Sequence, residues 1–305
     1  MIVIDSLFPV FFLVVLGVVL KRYGFTSESF LRQSDRLIYY IFFPVMLFWK
    51  IGGASYAAGD MDLLYHLVTL LVLGVMFVLS ALVIRFFQVG DFQAGTFSQS
   101  CYRFNTYIGM AVVLTSQGAK GVAVFGILIG LAIPLINVFA VSALIWFSGQ
   151  QLSRRGRGKM LIRALAGNPL ILGCLAGFVY SRLIGTFPLF VTNALSLMSM
   201  VTLPLALISI GGALTFAGMK THLWQSVLAA TLKLCILPLI GYGAYQLTGV
   251  GGVEFKVGMI FFSLPTSTAI YVLSSQLNSD TELASSAIVL STVLSFFSLS
   301  VALLL

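Results

Sequence analysis

Two stretches of this 305-residue sequence place polar side chains in the middle of long apolar runs, at residues 98–109 and 263–269. Both combine hydroxyl or amide groups with a residue that breaks helices, Gly109 in the first and Pro265 in the second. A broken helix frees backbone N–H groups at the N-terminus of its second half, where the helix dipole is positive. Two such breaks crossing at the midplane of a membrane would aim both positive ends at one point. The pattern therefore predicts an anion site.

Several side chains in and near these stretches have the chemistry to bind a carboxylate. Asn105, Thr106 and Thr266 carry amide and hydroxyl groups, and Arg103 carries a positive charge. Tyr107 could wall the pocket or simply pack against a neighbouring helix. The residues that we predict to bind substrate are Arg103, Asn105, Thr106, Tyr107, Asn137, Pro265, Thr266 and Ser267.

Two cations, Arg103 and Lys233, lie inside apolar segments. A charge at the centre of a membrane helix costs about 2.5–3.5 kcal/mol on insertion scales, so each cation needs a cavity, a partner or an interface. An anionic substrate would be one partner, which gives Lys233 a potential charge role. The alternative is that Lys233 snorkels and that Arg103 binds carbonyl groups of the broken helix. Asn137 likewise either lines the cavity or links two helices.

Carboxylates are absent from the interior of the apolar segments. The nine acids lie near loops or segment ends, at Asp5, Glu28, Asp35, Asp60, Asp62, Asp91, Glu254, Asp280 and Glu282. This argues mildly against proton or sodium coupling, although backbone and hydroxyl oxygens can also hold sodium. His66 and His222 lack further metal-type ligands, and the sequence has no phosphate loop, catalytic triad or carboxylate pair. We therefore expect no metal, no cofactor and no enzymatic activity.

The composition identifies the solvent that surrounds these residues. Hydrophobic residues make up 59% of the chain and charged residues 9%, against about 25% charged residues in a typical soluble domain. Most of the surface must therefore face lipid. The net charge of +8 arises from a shortage of acids, without a basic tract that could follow phosphates, so no nucleic-acid partner is expected.

Long apolar segments indicate a polytopic membrane protein. A helix needs about 20 apolar residues to cross the hydrocarbon core, and near-continuous apolar runs favour helices over a barrel. The ten predicted spans are 3–20, 35–53, 63–87, 95–115, 120–148, 165–184, 190–216, 222–247, 255–275 and 281–304. Most Lys and Arg residues fall in the odd-numbered loops, which we place in the cytoplasm, with both termini outside.

An internal repeat divides the chain into residues 1–148 and 163–305, joined by a cytoplasmic linker at 149–162. A shift of 160 residues aligns helix-breaking residues of three span pairs: Pro9 with Pro169, Pro44 with Pro204, and Asn105-Thr106 with Pro265-Thr266. Because each half has five spans, the second half enters the membrane from the opposite side. Inverted repeats are typical of secondary transporters that work by alternating access. The alternative is a duplication that was retained only for structure.

Five sequence segments carry a resemblance to a known family. They are residues 103–109, 134–138, 168–173, 204–212 and 264–267, and the Asn-Pro start of span 6 and the run from Pro204 to Gly212 are the more specific among them. In this combination and order, the chain resembles the auxin efflux carrier family of membrane permeases, which includes bacterial malonate- and malate-type carriers and, more distantly, plant PIN auxin carriers. The resemblance covers almost the whole chain.

This resemblance implies a ten-helix fold like that of sodium/proton antiporters and bile-acid carriers, with helices 4 and 9 broken and crossing. It also implies a scaffold of helices 1, 2, 6 and 7, an elevator-type transport unit of helices 3–5 and 8–10, and a homodimer through the scaffold. The substrate site would map onto Asn105, Thr106, Pro265 and Thr266. One departure is that the family often has a proline soon after the glycine of the span 4 motif, where this chain has Met110-Ala111.

The sequence thus predicts a carrier of small organic carboxylates in the cytoplasmic membrane. A sodium-coupled carrier of the bile-acid type is one alternative, which sodium dependence of flux would distinguish. A membrane sensor on the same scaffold, which binds a ligand but transports nothing, is another.

Overall fold

The computed structural model of the protein describes residues 2–53, 63–147, 167–214 and 219–305. These residues form helices and loops, and they include no β-strand. Six of the helical segments are long and apolar enough to cross a membrane. The prediction of an all-helical polytopic membrane protein is thereby confirmed, whereas ten spans in two inverted repeats stay a prediction. The predicted linker at 149–162 lies outside the described residues.

Thirteen α-helices are numbered here in chain order among the residues that the structure describes. The first six are α1 (Ile2–Arg22), α2 (Glu28–Leu37), α3 (Phe43–Gly52), α4 (Leu63–Phe86), α5 (Asp91–Tyr102) and α6 (Thr106–Phe147). The other seven are α7 (Pro169–Leu183), α8 (Leu189–Ala213), α9 (Leu223–Thr231), α10 (Leu237–Thr248), α11 (Gly252–Phe262), α12 (Ala269–Gln276) and α13 (Thr281–Leu304). Helix α6 is interrupted at Gly118, whose φ of 62° is outside the helical region.

Two short π-helices each precede a proline. Residues Ile38–Phe42 connect α2 to α3, and residues Leu232–Ile236 connect α9 to α10. Pro44 and Pro238 follow at the first turns of α3 and α10. A proline lacks the N–H for the bond to the carbonyl four residues back, and its ring clashes with that carbonyl. The wider π-turn relieves the clash and lets the helix continue with one extra residue.

The chain divides into two compact units. Unit 1 comprises Met1–Leu63, Tyr107–Ile133 and Leu165–Ala213. Within it, α1 packs against α8, and α3 packs against α7. Glycines let these helices approach closely, because a Cβ at Gly17 would overlap the Ile208 carbonyl group and a Cβ at Gly211 would overlap that of Val14.

Unit 2 comprises Leu64–Thr106, Pro134–Ala164 and Leu214–Leu305. Its helix α13 packs against α5, α9, α11 and α12. Buried hydroxyl groups recur along α13, at Ser286, Ser291, Thr292 and Ser295. Unit 2 therefore has buried polar groups in its interior, and it contains residues 98–106 of the first polar stretch and the whole of the second, 263–269.

Candidate functional site

The first polar stretch contains a real helix interruption, but the interruption does not lie at Gly109. Helix α5 ends at Tyr102, Arg103 is extended (φ −69°, ψ 140°), and α6 begins at Thr106. Gly109 lies inside α6, so its predicted role as the breaking residue is wrong. The physical reason is that Met110 and Ala111 favour helix, whereas the N–H of Asn105, which lies between α5 and α6, donates to the Pro265 carbonyl oxygen.

The second interruption lies where the sequence predicted it, around Pro265. Helix α11 ends at Phe262, and α12 begins at Ala269. Pro265 has no N–H to donate to the carbonyl of Phe261, four residues earlier, and that carbonyl instead accepts a long bond of 3.4 Å from the Leu264 N–H. Proline therefore ends α11 by removing the bond that would continue it.

The two interruptions contact each other within unit 2. The Asn105 N–H donates to the Pro265 carbonyl oxygen at 2.9 Å, and the Thr266 hydroxyl donates to the Ser100 carbonyl oxygen at 2.9 Å. The rings of Phe104 and Phe261 pack beside these bonds, with centroids 4.4 Å apart. Residues of each interruption thus form hydrogen bonds with backbone carbonyl groups in the other interruption or next to it.

Helix α13 satisfies other polar groups of the second interruption. The Ser291 hydroxyl accepts the Thr266 N–H at 3.1 Å, and the Ser298 hydroxyl donates to the Ser263 carbonyl at 2.8 Å. Sequence reasoning missed both serines. A signal was available in the sequence, because Ser and Thr recur along an otherwise apolar last span. Such residues mark the side of a helix that packs against other helices and not against lipid.

The predicted site residues differ in burial. Asn105, Thr266 and Arg103 are buried, with exposed fractions of 2%, 1% and 8%. Pro265 is also buried, whereas Thr106 and Ser267 are half-buried. The Ser267 hydroxyl accepts the Ala269 N–H at the start of α12. The polar side chains of the two interruptions are therefore buried at Asn105 and Thr266 and partly accessible beside them, at Thr106 and Ser267.

Two predicted residues lie outside this group of contacts. Tyr107 belongs to unit 1, where its ring packs edge-on against Phe43 with centroids 4.9 Å apart. Asn137 is half-buried on the later part of α6. The structure describes no hydrogen bond from Asn137 to a break residue, so its role stays a prediction.

A second group of polar side chains joins α5 to α12 in unit 2. The Thr96 hydroxyl bonds those of Ser274 and Ser279, at 2.7 and 2.9 Å. The Gln99 amide donates to the Ser274 hydroxyl at 2.9 Å. All four side chains are buried. This group was not expected from the sequence, because its contacts depend on how α5 and α12 are rotated about their axes.

Lys233 is completely buried, with an exposed fraction of 0%. Its ammonium nitrogen lies 3.5 Å from the carbonyl oxygen of Phe262, the last residue of α11. The alternative that Lys233 snorkels to an interface is therefore wrong. Its side chain extends to the end of a broken helix and contacts the residue just before the second interruption.

Comparison with known proteins gives three findings. Residues 153–303 match the membrane transport protein family. The chain is 24% identical over 301 residues to an uncharacterised transporter of Methanocaldococcus jannaschii. The aligned region covers 97% of this chain and 96% of that protein. It is also 24% identical over 297 residues to an uncharacterised transporter of Methanothermobacter thermautotrophicus, covering 97% and 95%. These matches confirm the resemblance to the auxin efflux carrier family that was found from the sequence, and the chain is a multi-pass membrane protein that is similar to membrane transport proteins.

Proposed function

We propose that the protein is a secondary transporter of small organic carboxylates across the cytoplasmic membrane. It binds substrate at the two helix interruptions of unit 2 and works by elevator-type alternating access. The observation that carries the proposal is the hydrogen bond from the Asn105 N–H to the Pro265 carbonyl. This bond joins the interruptions of two helices at positions that the predicted repeat pairs with each other.

The local electrostatics favour an anion. Helix α6 begins at Thr106 directly after the first interruption, and α12 begins at Ala269 directly after the second. The N-terminal end of a helix carries about +0.5 of an elementary charge. Arg103 adds a full positive charge to the first interruption, and the Asn105 amide and Thr266 hydroxyl supply hydrogen-bonding groups. A carboxylate matches this combination of charge and donors.

The division into two units supports the proposal of a fixed scaffold and a moving unit. Unit 1 contains α1, α2, α3, α7 and α8, which correspond to spans 1, 2, 6 and 7. Unit 2 contains both interruptions. One difference from the expected division is that residues 107–133, which cover the end of span 4 and the start of span 5, belong to unit 1. In the proposed arrangement, ten spans form two inverted repeats, both termini face outward, and two copies associate through the scaffold.

The proposal is tested with Asn105→Ala in proteoliposomes that contain purified protein and a radiolabelled mono- or dicarboxylate. The substitution keeps the backbone bond to Pro265 and removes only the side-chain amide. We expect KM to rise about tenfold, because a hydrogen bond to a charged group contributes about 1.5–3 kcal/mol. Asn193→Ala is the matched control, since Asn193 is an exposed amide on α8 in unit 1.

Three outcomes distinguish this proposal from its alternatives. Unchanged KM and flux in Asn105→Ala would remove Asn105 from the site. Flux that stops when sodium is replaced by choline would favour a sodium-coupled carrier. Thermal stabilisation of the wild-type protein by carboxylates, with no flux of any of them, would favour a sensor that does not transport.

A further inference from the structure

Lys233 lies at an unusual place in its helix. It is the second residue of the π-helix Leu232–Ile236, between α9 and α10. Its side chain is fully buried, and its ammonium nitrogen lies 3.5 Å from the Phe262 carbonyl oxygen. The π-turn that accommodates Pro238 therefore also presents a buried cation to the end of α11.

The Phe262 carbonyl has lost the partner that a continuous helix would provide. In such a helix it would accept the N–H of Thr266, four residues later. The Thr266 N–H instead donates to the Ser291 hydroxyl at 3.1 Å. An unsatisfied carbonyl in the interior of a membrane protein is costly, because no water is present there to bond it. Lys233 is the donor that the structure gives to this carbonyl.

Among the described residues, the amino group of Lys233 faces the end of a helix and not a carboxylate. Arg32 forms an ion pair with Glu28, and among the other described residues the His222 ring lies 3.6 and 3.7 Å from carboxylate oxygens of Asp280 and Glu282. None of them involves Lys233. The C-terminal end of a helix carries about −0.5 of an elementary charge, and lysine side chains can bond the last carbonyls of a helix. The end of α11 therefore accounts for a buried cation that has no acidic partner in this part of the chain.

Carriers built from broken helices often bind a coupling cation at this kind of position. Unwound carbonyls and the C-terminal ends of half-helices coordinate sodium or a proton in such proteins. Here a side chain of the protein brings a positive charge to the corresponding end of α11, and the next carbonyl, that of Ser263, accepts the Ser298 hydroxyl. The carbonyl groups of Phe262 and Ser263 therefore both have hydrogen-bond donors that belong to the protein.

We propose that Lys233 is a positioning residue that takes the place of a bound cation at the C-terminal end of α11. It holds the second interruption in its binding geometry, and transport therefore needs no sodium ion at this position. Lys233 thus acts on the substrate through the shape of residues 263–268 and does not contact the substrate itself. The effect on transport rests on the proposed function, whereas the effect on the helix end does not.

The test uses Lys233→Ala, Lys233→Arg and a matched control, Lys256→Ala. Lys256 is an exposed lysine on α11 itself. Thermal stability of each purified protein is measured in choline chloride, sodium chloride and ethylammonium chloride. We expect Lys233→Ala to have a lower Tm that sodium or ethylammonium partly restores, because the vacated space can accept a small cation. The wild type and Lys256→Ala should have the same Tm in all three salts, and Lys233→Arg should stay close to the wild type.

Carboxylate flux in proteoliposomes gives the second measurement. We expect Lys233→Ala to transport about tenfold more slowly, which corresponds to the loss of one charge-assisted hydrogen bond, and ethylammonium to restore part of the rate. Wild-type flux should be equal in sodium and choline. If the wild type shows no flux, the proposed function fails, while the Tm measurements still decide the role of Lys233.

Three results would overturn the role of Lys233. The first is a Tm of Lys233→Ala equal to that of Lys256→Ala. The second is a lowered Tm that no small cation raises, since a purely steric role would give that result. The third is equal destabilisation by alanine and arginine. If Lys233→Ala does not fold, Lys233→Met and Lys233→Arg take its place: folding of the arginine variant alone supports the role, and any other folding result is a further one that overturns it.

Discussion

In unit 1 the helices meet through glycines, whereas in unit 2 buried hydroxyl and amide groups join them. A Cβ at Gly173 would lie 2.7 Å from the Pro44 carbonyl oxygen, and Gly17 and Gly211 allow the same kind of approach between α1 and α8. In unit 2, side-chain hydrogen bonds link α5 to α12 and α9 to α13. Gly95 in unit 2 also comes close to a neighbouring backbone, at Leu144, but Gly241 and Gly258 face aromatic rings.

This difference shows two ways to hold helices together without a hydrophobic driving force between them. Lipid tails are as apolar as leucine, so association depends on close packing and on hydrogen bonds. Glycine contacts fix one register, because any slide brings backbone atoms into collision. Hydrogen bonds between hydroxyl groups can be exchanged for bonds to water or a ligand. The chemistry of unit 2 is therefore suited to a site, and that of unit 1 to a rigid support.

The largest effect is expected from filling a glycine contact in unit 1. Gly211→Val would push a side chain into the Val14 carbonyl group. Because the obstacle is backbone, we expect destabilisation of about 3 kcal/mol or more, at the upper end of overpacking effects. The free energy of unfolding is measured by titrating the purified protein from mild detergent into a denaturing detergent.

The control for this substitution is Gly74→Val in α4 of unit 2, where a Cβ meets nothing within 4 Å. Its stability should stay within about 0.5 kcal/mol of the wild type, as for most substitutions away from special features. Equal stability of the two valine variants would break the contrast between the units.

A smaller effect is expected from removing a buried helix cap in each unit. Asn168 caps α7 in unit 1 by accepting the N–H groups of Leu170 and Ile171, at 3.0 and 3.4 Å. Asp280 caps α13 in unit 2 by accepting the Leu283 N–H at 2.9 Å, and its other oxygen lies 3.6 Å from His222. Replacing a cap by alanine costs about 0.5–2 kcal/mol.

We expect Asp280→Ala to cost more than Asn168→Ala, because a charged cap interacts with the helix dipole and Asp280 also contacts His222. Ser27→Ala is the control, since Ser27 caps the exposed helix α2. It should have the smallest effect of the three in the same unfolding titration. A larger loss for Asn168→Ala than for Asp280→Ala would contradict this order.

The smallest effect is expected from a double-mutant cycle within unit 2. Gln99→Leu and Ser274→Ala each remove one partner of the 2.9 Å bond between α5 and α12. Their coupling free energy should be about 0.6 kcal/mol, the average for such bonds between membrane helices. A coupling near zero would mean that the bond adds nothing beyond packing. The matching pair Ser226→Ala and Ser286→Ala tests the bond between α9 and α13.

The sequence predicted the interruption at Pro265 because proline acts locally, through its missing N–H. It placed the first interruption at Gly109, whereas the structure has it at Arg103 to Asn105. No residue in that segment is a strong helix breaker, and the break depends on a bond to Pro265, which lies 160 residues away in sequence. Local propensity carries no information about such a bond.

The partners of the break residues were also beyond sequence reasoning. The pairing of Asn105-Thr106 with Pro265-Thr266 by the predicted repeat pointed to two segments that the structure brings into contact. The choice of Ser100 and Ser291 as partners of Thr266 depends on the rotation of α5 and α13 about their axes. The recurring Ser and Thr residues of α13 mark a face that avoids lipid, but they do not show which hydroxyl bonds which group of another helix.

The extra residue in the π-helix Leu232–Ile236 has a consequence for how this helix can evolve. Deleting one residue there would restore regular winding, because a π-turn is a regular helix with one residue inserted. The helical faces on either side would stay in register, whereas a deletion in a regular stretch would turn one side by about 100°, the angle between successive residues. We therefore expect chain length to vary more readily between residues 232 and 236 than elsewhere in this helix.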